Sequence, residues 1–168
     1  MCCQSERVDR ASLIDTANMD AIDRSILREL QADGRLTNQE LAARVGLTPS
    51  PCLRRVRQLE DDGVIRGYRA VVDPAALGRG FEVFASIEVH RDRASVAAFE
   101  SEVRAIPDIV EAYRLYGAPG SLLRIAVADS DAYERFWTDK LIALPGVSDV
   151  NSQMIMKRIK SPEGVPVG

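Results

Sequence analysis

The stretch from Leu36 to Tyr68, LTNQELAARVGLTPSPCLRRVRQLEDDGVIRGY, contains two helix starts eleven residues apart. At the first start, the Thr37 side chain is predicted to accept a hydrogen bond from the backbone N–H of Glu40, while the Glu40 side chain reaches back to the backbone N–H of Thr37. Apolar residues at helical spacing follow this capping box up to Gly46, where we expect the first helix to end.

The second helix is predicted to begin after Thr48, whose side chain is in position to cap it. Pro49 and Pro51 then occupy its first and third positions, where backbone N–H groups have no partner within the helix, so neither proline removes a hydrogen bond. Gly63 is expected to end the helix. The predicted buried side contains Cys52, Leu53, Val56 and Leu59. Five residues are predicted to lie on or beside the outward side: Ser50, Arg54, Arg55, Arg57 and Gln58.

Two short helices joined by a glycine turn are typical of a helix-turn-helix, whose second helix enters the DNA major groove. Beyond them, Val64–Arg66 and Arg69–Val72 are strand-like runs around Gly67, which predict a basic wing. Helical arginines alone are equally consistent with a solvated face, but together with the caps, the turn and the wing they favour DNA binding. The candidate DNA-contacting residues are Thr37, Asn38, Thr48, Pro49, Ser50, Pro51, Arg54, Arg55, Arg57, Gln58 and Arg66.

Four runs of residues jointly resemble the Lrp/AsnC, or feast/famine, family of transcription factors. They are DxxDxxIL at 20–27, LQxDGR at 30–35, VGLTPSPCLRRVRQLE at 45–60 and GVIRGYRAVVDP at 63–74. The resemblance covers the chain from Asp20 to Met156. It implies an N-terminal DNA-binding domain joined to a ferredoxin-like domain that assembles subunits and senses amino acids. It also implies tetramers or octamers.

The composition of the chain, 168 residues with 46% hydrophobic and 28% charged residues, suits one ordinary or two small globular domains. Three cysteines, two of them adjacent at Cys2 and Cys3, do not form a disulfide framework. Charged residues near the N-terminus interrupt any signal-peptide pattern, and no apolar run is long enough to span a membrane. We therefore expect a cytoplasmic protein with no membrane partner.

The net charge of −3 is unevenly distributed along the chain. Residues 1–18 carry −1, residues 19–79 carry +1 and residues 80–168 carry −3. The arginines from Arg54 to Arg69 concentrate in the predicted second helix and wing. An acidic protein is therefore compatible with a DNA-binding first domain, and several subunits are expected to bind DNA together.

Three segments are predicted along the chain: a flexible N-terminal arm at 1–18, a winged helix-turn-helix domain with its linker at 19–79, and a sensing and oligomerisation domain at 80–168. A helix starting at Asp20 packs behind the helix-turn-helix, and residues 75–80 form a short hinge. The third segment repeats a unit of strand, helix and strand, with Ile106-Pro107 echoed by Leu144-Pro145. This βαββαβ order predicts a ferredoxin-like fold in an α+β protein.

The two helices of that fold cover only one face of its sheet. Apolar strand residues on the other face are then expected to be buried against a second subunit, which predicts a homodimer.

The sequence has few candidate residues for catalysis or metal binding. His90 has no motif around it and is interpreted as structural, and the adjacent cysteines lack metal-ligand spacing. No catalytic residue, metal or cofactor is predicted, so we do not expect an enzyme. Trp137, Met154 and Met156 are either pocket residues or core and interface residues.

The loop YGAPGSLL at 116–123 lies where the family carries a GxxD pattern associated with the effector site. Gly117 matches the glycine, but Ala118 and Gly120 stand where acidic residues are usual. The loop is therefore either an effector site with weak or altered binding, or a type II turn with Pro119 and Gly120 at its centre. The candidate effector-binding residues are Gly117, Ala118, Gly120, Ser121 and Leu122.

The sequence thus predicts a regulator that binds double-stranded DNA and responds to a small effector, expected to be an amino acid. The alternative is an allosteric or oligomerising module in which the first domain serves protein contacts without a DNA role. An enzyme would need an acid or histidine pair in a cleft of the second domain, and His90 has no evident partner.

Overall fold

The structure, a computed structural model, describes residues 19–90, 92–160 and 164–167. The predicted N-terminal arm lies outside these residues. Two compact units divide the described chain. The first runs to Ala70 and also includes the described residues from Lys160 onward, and the second is Val71–Ile159. The division thus falls after Ala70, whereas the sequence-based domain boundary was placed after residue 79.

Three helices form the first unit: α1 at Ala21–Ala32, α2 at Asn38–Arg44 and α3 at Pro49–Asp61. The helix starts predicted at Asp20 and Thr37 are both present. The Asp20 side chain accepts hydrogen bonds from the backbone N–H groups of Ile22 and Asp23, and the Asp23 side chain accepts one from the backbone N–H of Asp20. The core of the unit consists of Ile26, Leu27, Leu41, Ala42, Cys52 and Leu59.

One residue predicted for the buried side of α3 is not buried. Leu53 is 38% exposed, whereas Cys52 is fully buried and Leu59 is 4% exposed. The reason is the helical period: Cys52, Val56 and Leu59 follow one another at intervals of four and three residues, and Leu53 lies about 100° away from that stripe. The prediction for Leu53 was wrong, and the one for Cys52 is confirmed.

The wing segment does not form the two short strands predicted for Val64–Arg66 and Arg69–Val72. A backbone hydrogen bond connects the wing to α3: the N–H of Ile65 donates to the carbonyl of Leu59 at 2.9 Å. Val71 is 98% exposed. A two-stranded ribbon of three- or four-residue strands is marginally stable on its own, which accounts for the missing ladder.

The second unit contains the predicted βαββαβ order. After a short turn at Ala75–Leu77 come β1 at Phe81–Val89, α4 at Arg93–Ala105, β2 at Ile109–Arg114, β3 at Ser121–Val127, α5 at Ser130–Phe136 with a wider helical turn at Trp137–Leu141, and β4 at Val147–Met154. All strand pairs are antiparallel, and the sheet order is β2-β3-β1-β4. The α+β fold with a winged helix-turn-helix and a ferredoxin-like domain is confirmed.

Alternate residues of β1 and β3 give the sheet two unlike faces. Ala85, Ile87, Leu123 and Ile125 are fully buried in a core that includes Phe99 and Phe136 from the helices.

Three residues were predicted to lie either in a pocket or in a core or interface: Trp137, Met154 and Met156. They are 37%, 61% and 94% exposed. They therefore do not belong to the core of this chain.

The opposite face of the sheet is mixed in character and not simply apolar. Phe84 of β1 pairs in register with Arg124 of β3. The Arg124 guanidinium donates to the carboxylates of Glu82 at 2.8 Å and Glu111 at 2.5 Å. Leu122 lies on the same face. A partner covering this face must therefore accommodate apolar side chains and a group of ion pairs.

Candidate DNA-binding surface and effector pocket

The turn between α2 and α3 is held by hydrogen bonds that the sequence predicted in part. Thr37 and Glu40 form the predicted capping box. Gly46 has a φ of 72° and allows the chain to turn back, so that the backbone N–H of Leu47 donates to the carbonyl of Ala42 at 2.9 Å. The relative placement of the two helices is therefore set locally.

Asn38, predicted as a DNA contact, connects the two helices. Its side-chain amide donates to the carbonyl of Pro49 at 2.8 Å, and its side-chain oxygen is buried without a hydrogen-bond partner among the described residues. The side chain is half-buried and spans the start of α2 and the start of α3. Asn38 thus joins the starts of the two helices, and its contact with DNA stays a prediction.

Thr48 is the N-cap residue of α3, as predicted, but its side chain makes no capping hydrogen bond. An N-cap oxygen accepts from the second or third backbone N–H of a helix, and the third residue here is Pro51, which has none. Thr48, Pro49 and Ser50 are exposed and Pro51 is half-buried. The proline pair thus leaves the Thr48 hydroxyl open to solvent at the end of the helix predicted to approach DNA.

Two arginines of α3, Arg54 and Arg57, are exposed, as is Arg66 in the wing. Gln58 is also exposed, and its side-chain amide donates to the Asp62 carboxylate at 2.9 Å. The exposed cations agree with the outward side predicted from the helical period. They supply side chains that can reach phosphates or the acceptor edge of guanine.

Arg55 does not lie with the exposed arginines. Its guanidinium pairs with the Asp23 and Asp20 carboxylates, at 2.8 Å in each case. The hydrogen bond that Arg55 donates to Asp23, followed by the one it donates to Asp20, raises the pKa of Arg55. The pKa of the Asp20 carboxyl is lowered, first by the backbone N–H of Asp23 and also by Arg55. Arg55 was predicted to lie on or beside the outward side. In the structure it is half-buried, because its position on α3 faces the start of α1.

The wing is held against α3 by a side chain outside the predicted site. The Tyr68 hydroxyl donates to the Glu60 carboxylate at 3.0 Å. Burial, with the neighbouring Glu60, raises the pKa of Tyr68 to about 12. The hydrogen bond is therefore kept across the physiological pH range, and it fixes one point of the chain just beyond Arg66.

The predicted effector loop is a hairpin between β2 and β3. The backbone N–H of Leu115 donates to the carbonyl of Gly120 at 2.9 Å, and the Ala118–Pro119 peptide bond is cis. Gly117 has a φ of 113°, whereas Gly120 is not in the positive-φ region. A type II turn needs a positive φ at its third residue, so the type II turn proposed around Pro119 and Gly120 is wrong.

A cavity of about 480 Å³ opens beside this loop. Three of the predicted effector residues line it, Gly117, Gly120 and Ser121, whereas Ala118 and Leu122 do not. Leu122 points to the opposite face of the sheet, because side chains alternate along β3. The other lining residues are Glu88, Val89, Val96, Phe99, Glu100, Arg114, Leu115 and Tyr116.

Glu100 and Arg114 are candidate ligand-binding residues that sequence reasoning missed. They come from α4 and β2, and Arg114 forms an ion pair with Glu100. The periodicity of α4 marks Phe99 as a core position, and Glu100 follows it directly. No spacing rule connects it to the end of β2. Only the folded sheet brings these charges to the loop.

The first unit has three helices, one of which exposes basic side chains. The second unit is an α+β domain with a ligand-sized cavity. Together they are typical of a two-domain transcriptional regulator that binds DNA and a small ligand. Residues 19–66 match the family of winged helix-turn-helix DNA-binding domains, and residues 82–165 match the Lrp/AsnC ligand binding domain. The chain belongs to the Lrp/AsnC family of DNA-binding transcriptional regulators.

Individual relatives agree with this assignment. A leucine-responsive regulatory protein from Klebsiella pneumoniae is 42% identical over 144 residues, which cover 85% of this chain and 88% of the relative. A transcriptional regulator from Neisseria meningitidis, solved as a complex with L-methionine, has a TM-score of 0.85 at 37% identity and covers 88% of this chain and 96% of its own. An AsnC family transcriptional regulator from Agrobacterium tumefaciens has a TM-score of 0.82 at 39% identity, with coverages of 88% and 97%.

Proposed function

We propose that this regulator binds double-stranded DNA through the outward side of α3 and the wing, and that binding of an amino acid in the second unit modulates it. Its role is regulatory and not catalytic, in keeping with relatives that are named as regulators. Among the described residues, no helix is long and apolar enough to cross a membrane. We place the protein in the cytoplasm, where its DNA lies.

The exposure of Arg54 and Arg57 on a capped helix is the observation that carries the DNA-binding proposal. The pairing of Arg55 with Asp20 and Asp23 strengthens it, because that pairing connects α3 to α1 and leaves the other arginines free to point outward. DNA attracts such cations chiefly through its phosphates, and sequence is read at the base edges. Residues 19–79 are proposed to carry this function.

An amino acid is the proposed effector for two reasons. The second unit has the ligand-binding domain of the family, and the regulator from Neisseria meningitidis was solved with L-methionine. The cavity beside the loop at 116–120 has a volume suited to a ligand of that size. Residues 80–168 are proposed to carry effector sensing and subunit assembly.

Assembly is proposed to begin with a homodimer that uses the open face of the sheet, and to continue to a tetramer or octamer. Phe84 and Leu122 on that face are only partly buried within one chain. Light scattering of the full chain is expected to show an even-numbered assembly, and the Phe84→Asp variant should have a lower mass. A monomer at tens of micromolar would contradict the proposal.

Adjacent arginines of α3 provide a matched test of DNA binding. Arg54→Ala is expected to leave the thermal stability unchanged and, if the side chain contacts a phosphate, to lower the salt slope of binding by about one. If Arg54 contacts guanine, about 1 to 3 kcal/mol of discrimination is lost at one base pair. Arg55→Ala is expected to lower the melting temperature of the first unit and to leave the salt slope unchanged, because its charge is already paired.

The measurement is a gel-shift titration at several salt concentrations, using genomic fragments selected with the purified protein. Asp23→Asn serves as a second control, since it removes one of the two carboxylates paired with Arg55 without removing a cation, and it should reproduce part of the loss of stability. Unchanged affinity, specificity and salt slope in Arg54→Ala would refute the assigned surface. Failure to select any genomic fragment would instead favour a module without a DNA role.

A further inference from the structure

We propose that Glu100 and Arg114 recognise the two charged groups of a zwitterionic amino acid with an apolar side chain. Arg114 is assigned to the carboxylate of the ligand, and Glu100 to its ammonium group. The inference rests on the proposed function in one respect, namely that an amino acid binds beside the loop at 116–120. It adds which side chains select the ligand.

The placement of the two residues carries the inference. Glu100 lies on α4, directly after the buried Phe99, and Arg114 is the last residue of β2. They form an ion pair with each other and both line the cavity. The side chain of Glu100 is 32% exposed and that of Arg114 is 60% exposed. Both charges are therefore at the mouth of the cavity and within reach of one small molecule.

The rest of the cavity suits an apolar side chain. Phe99 is 3% exposed, and Val89 and Val96 are half-buried. These residues come from the carboxyl end of β1 and the same side of α4. With charged groups at one place and apolar groups at another, the cavity matches a molecule that is itself divided into a charged end and an apolar end.

In this chain, a carboxylate for the ammonium group of the ligand must come from outside the loop at 116–120. Ala118 and Gly120 have no carboxylate, so the loop side chains offer no charged acceptor for an ammonium group. Glu100 supplies a carboxylate from α4, which lines the same cavity. Charge-assisted hydrogen bonds of this kind are stronger than neutral ones, and a guanidinium matches the two oxygens of a carboxylate.

The existing ion pair is compatible with ligand binding. An ion pair between partly exposed groups contributes little to stability, so it can separate at low cost. A zwitterion placed between Glu100 and Arg114 leaves each of them with a partner of opposite charge. A ligand with only an ammonium group would separate Arg114 from Glu100 without giving Arg114 a carboxylate in return. A ligand with only a carboxylate would leave Glu100 with the exposed Arg104, at 3.4 Å, as its cationic partner.

Calorimetry on the full-length protein tests the assignment with three probes: L-methionine, methionine amide, which lacks the carboxylate, and N-acetylmethionine, which lacks the ammonium group. Each analogue should bind about tenfold to a hundredfold more weakly than L-methionine, the range expected for one charged hydrogen bond. Arg114→Gln should bind L-methionine and its amide equally. Glu100→Gln should bind L-methionine and N-acetylmethionine equally.

Two controls separate recognition from folding. Glu102→Gln and Arg93→Gln change exposed residues of α4 that do not line the cavity, and they should bind all three probes as the unchanged protein does. The fluorescence of Trp137, the single tryptophan, should show the same melting temperature in all variants. Retained DNA binding in the variants would show that the first unit is intact.

The outcomes distinguish this inference from the proposed function. Tight L-methionine binding that neither Glu100→Gln nor Arg114→Gln changes would overturn the inference and leave an amino-acid effector in place. If L-methionine does not bind, the other nineteen amino acids are titrated in the same way. Absence of binding by all of them would overturn both the effector proposal and this inference, while DNA binding would still stand on its own test.

Discussion

The recognition helix α3 and the cavity beside the loop at 116–120 present charge in opposite ways. Helix α3 exposes Arg54 and Arg57 along one side, and its third central arginine, Arg55, is compensated by acids of α1. In the cavity, Glu100 and Arg114 are paired with each other. One surface keeps cations facing solvent, and the other keeps both signs of charge together.

This difference follows the charge of the proposed ligands. DNA is a polyanion, and a protein gains affinity for it by replacing condensed counterions with its own cations. A free amino acid carries both charges and no net charge, so a site for it needs an anion and a cation a short distance apart. The net charge of −3 for the whole chain is therefore a poor guide to either site.

The largest expected effects come from the two separate cores. Ile26→Ala in the first unit and Leu123→Ala in the second each truncate a fully buried side chain, and each should cost about 2 to 5 kcal/mol in the free energy of unfolding. Because the two cores share no residue, we expect each change to destabilise its own unit. DNA binding on heating should then fail first in Ile26→Ala.

Trp137 makes this comparison measurable, since it is the single tryptophan and lies in the second unit. Its fluorescence transition should shift in Leu123→Ala and remain in place in Ile26→Ala, whereas far-ultraviolet circular dichroism should record both. Equal shifts of the fluorescence transition in the two variants would show that the units unfold together.

The next effect concerns the loop, where a carboxylate can be restored. A Cβ added at Gly120 has no atom within 4 Å, so Gly120→Asp is expected to fit. If the new carboxylate accepts the ammonium of the ligand, it should add about 1.5 to 3 kcal/mol, or roughly tenfold to a hundredfold in affinity for L-methionine by calorimetry.

Gly117→Asp is the contrasting variant. It brings the same charge to the loop, but Gly117 has a φ of 113°, which other residues rarely adopt. Affinity should fall, because the hairpin must change shape. If Gly120→Asp leaves the affinity for every amino acid unchanged, the loop does not contact the ammonium group.

Sequence reasoning was accurate where the deciding contacts are close along the chain. The capping box of Thr37 and Glu40 joins residues three positions apart, and Pro49 begins α3 as expected. The order of strands and helices in the second unit also followed from local periodicity. In each case one segment contains all the information, because helix caps and amphipathic faces are properties of neighbouring residues.

The errors arose where distant segments meet. Arg55 lies 32 residues from Asp23, and helical period alone placed it among the exposed arginines. Glu100 and Arg114 come from two elements and no motif links them. The N-cap position of Thr48 was predicted correctly, but its side-chain capping hydrogen bond was not. The reason is local, since Pro51 has no N–H to donate to the Thr48 side chain.

The smallest expected effect lies at a second cavity of the second unit, which shares no lining residue with the cavity beside the effector loop. Asp108 is paired there with Arg79 and with Lys140, the latter at 3.1 Å. The hydrogen bond from Arg79, and then that from Lys140, holds the pKa of the Asp108 carboxyl below its usual value of 3.8. The folded protein therefore keeps this carboxylate charged at pH values where the unfolded chain has already taken up the proton.

The sign of the pH dependence follows from that lowered pKa. The contribution of Asp108 to stability is complete above pH 3.8, the unfolded value, and is lost as the pH falls through the lower folded value. Because Arg79 and Lys140 are about half exposed, we expect Asp108→Asn to cost about 1 kcal/mol or less at pH 7. Melting curves followed by Trp137 fluorescence should show the two proteins converging as the pH falls below 3.8. Asp139→Asn, at an exposed position in the same cavity, is the matched control and should show a smaller difference at pH 7. A difference for Asp108→Asn that stays constant from pH 7 to the acid limit would mean that packing, and not the charge of the carboxylate, stabilises this end of the sheet.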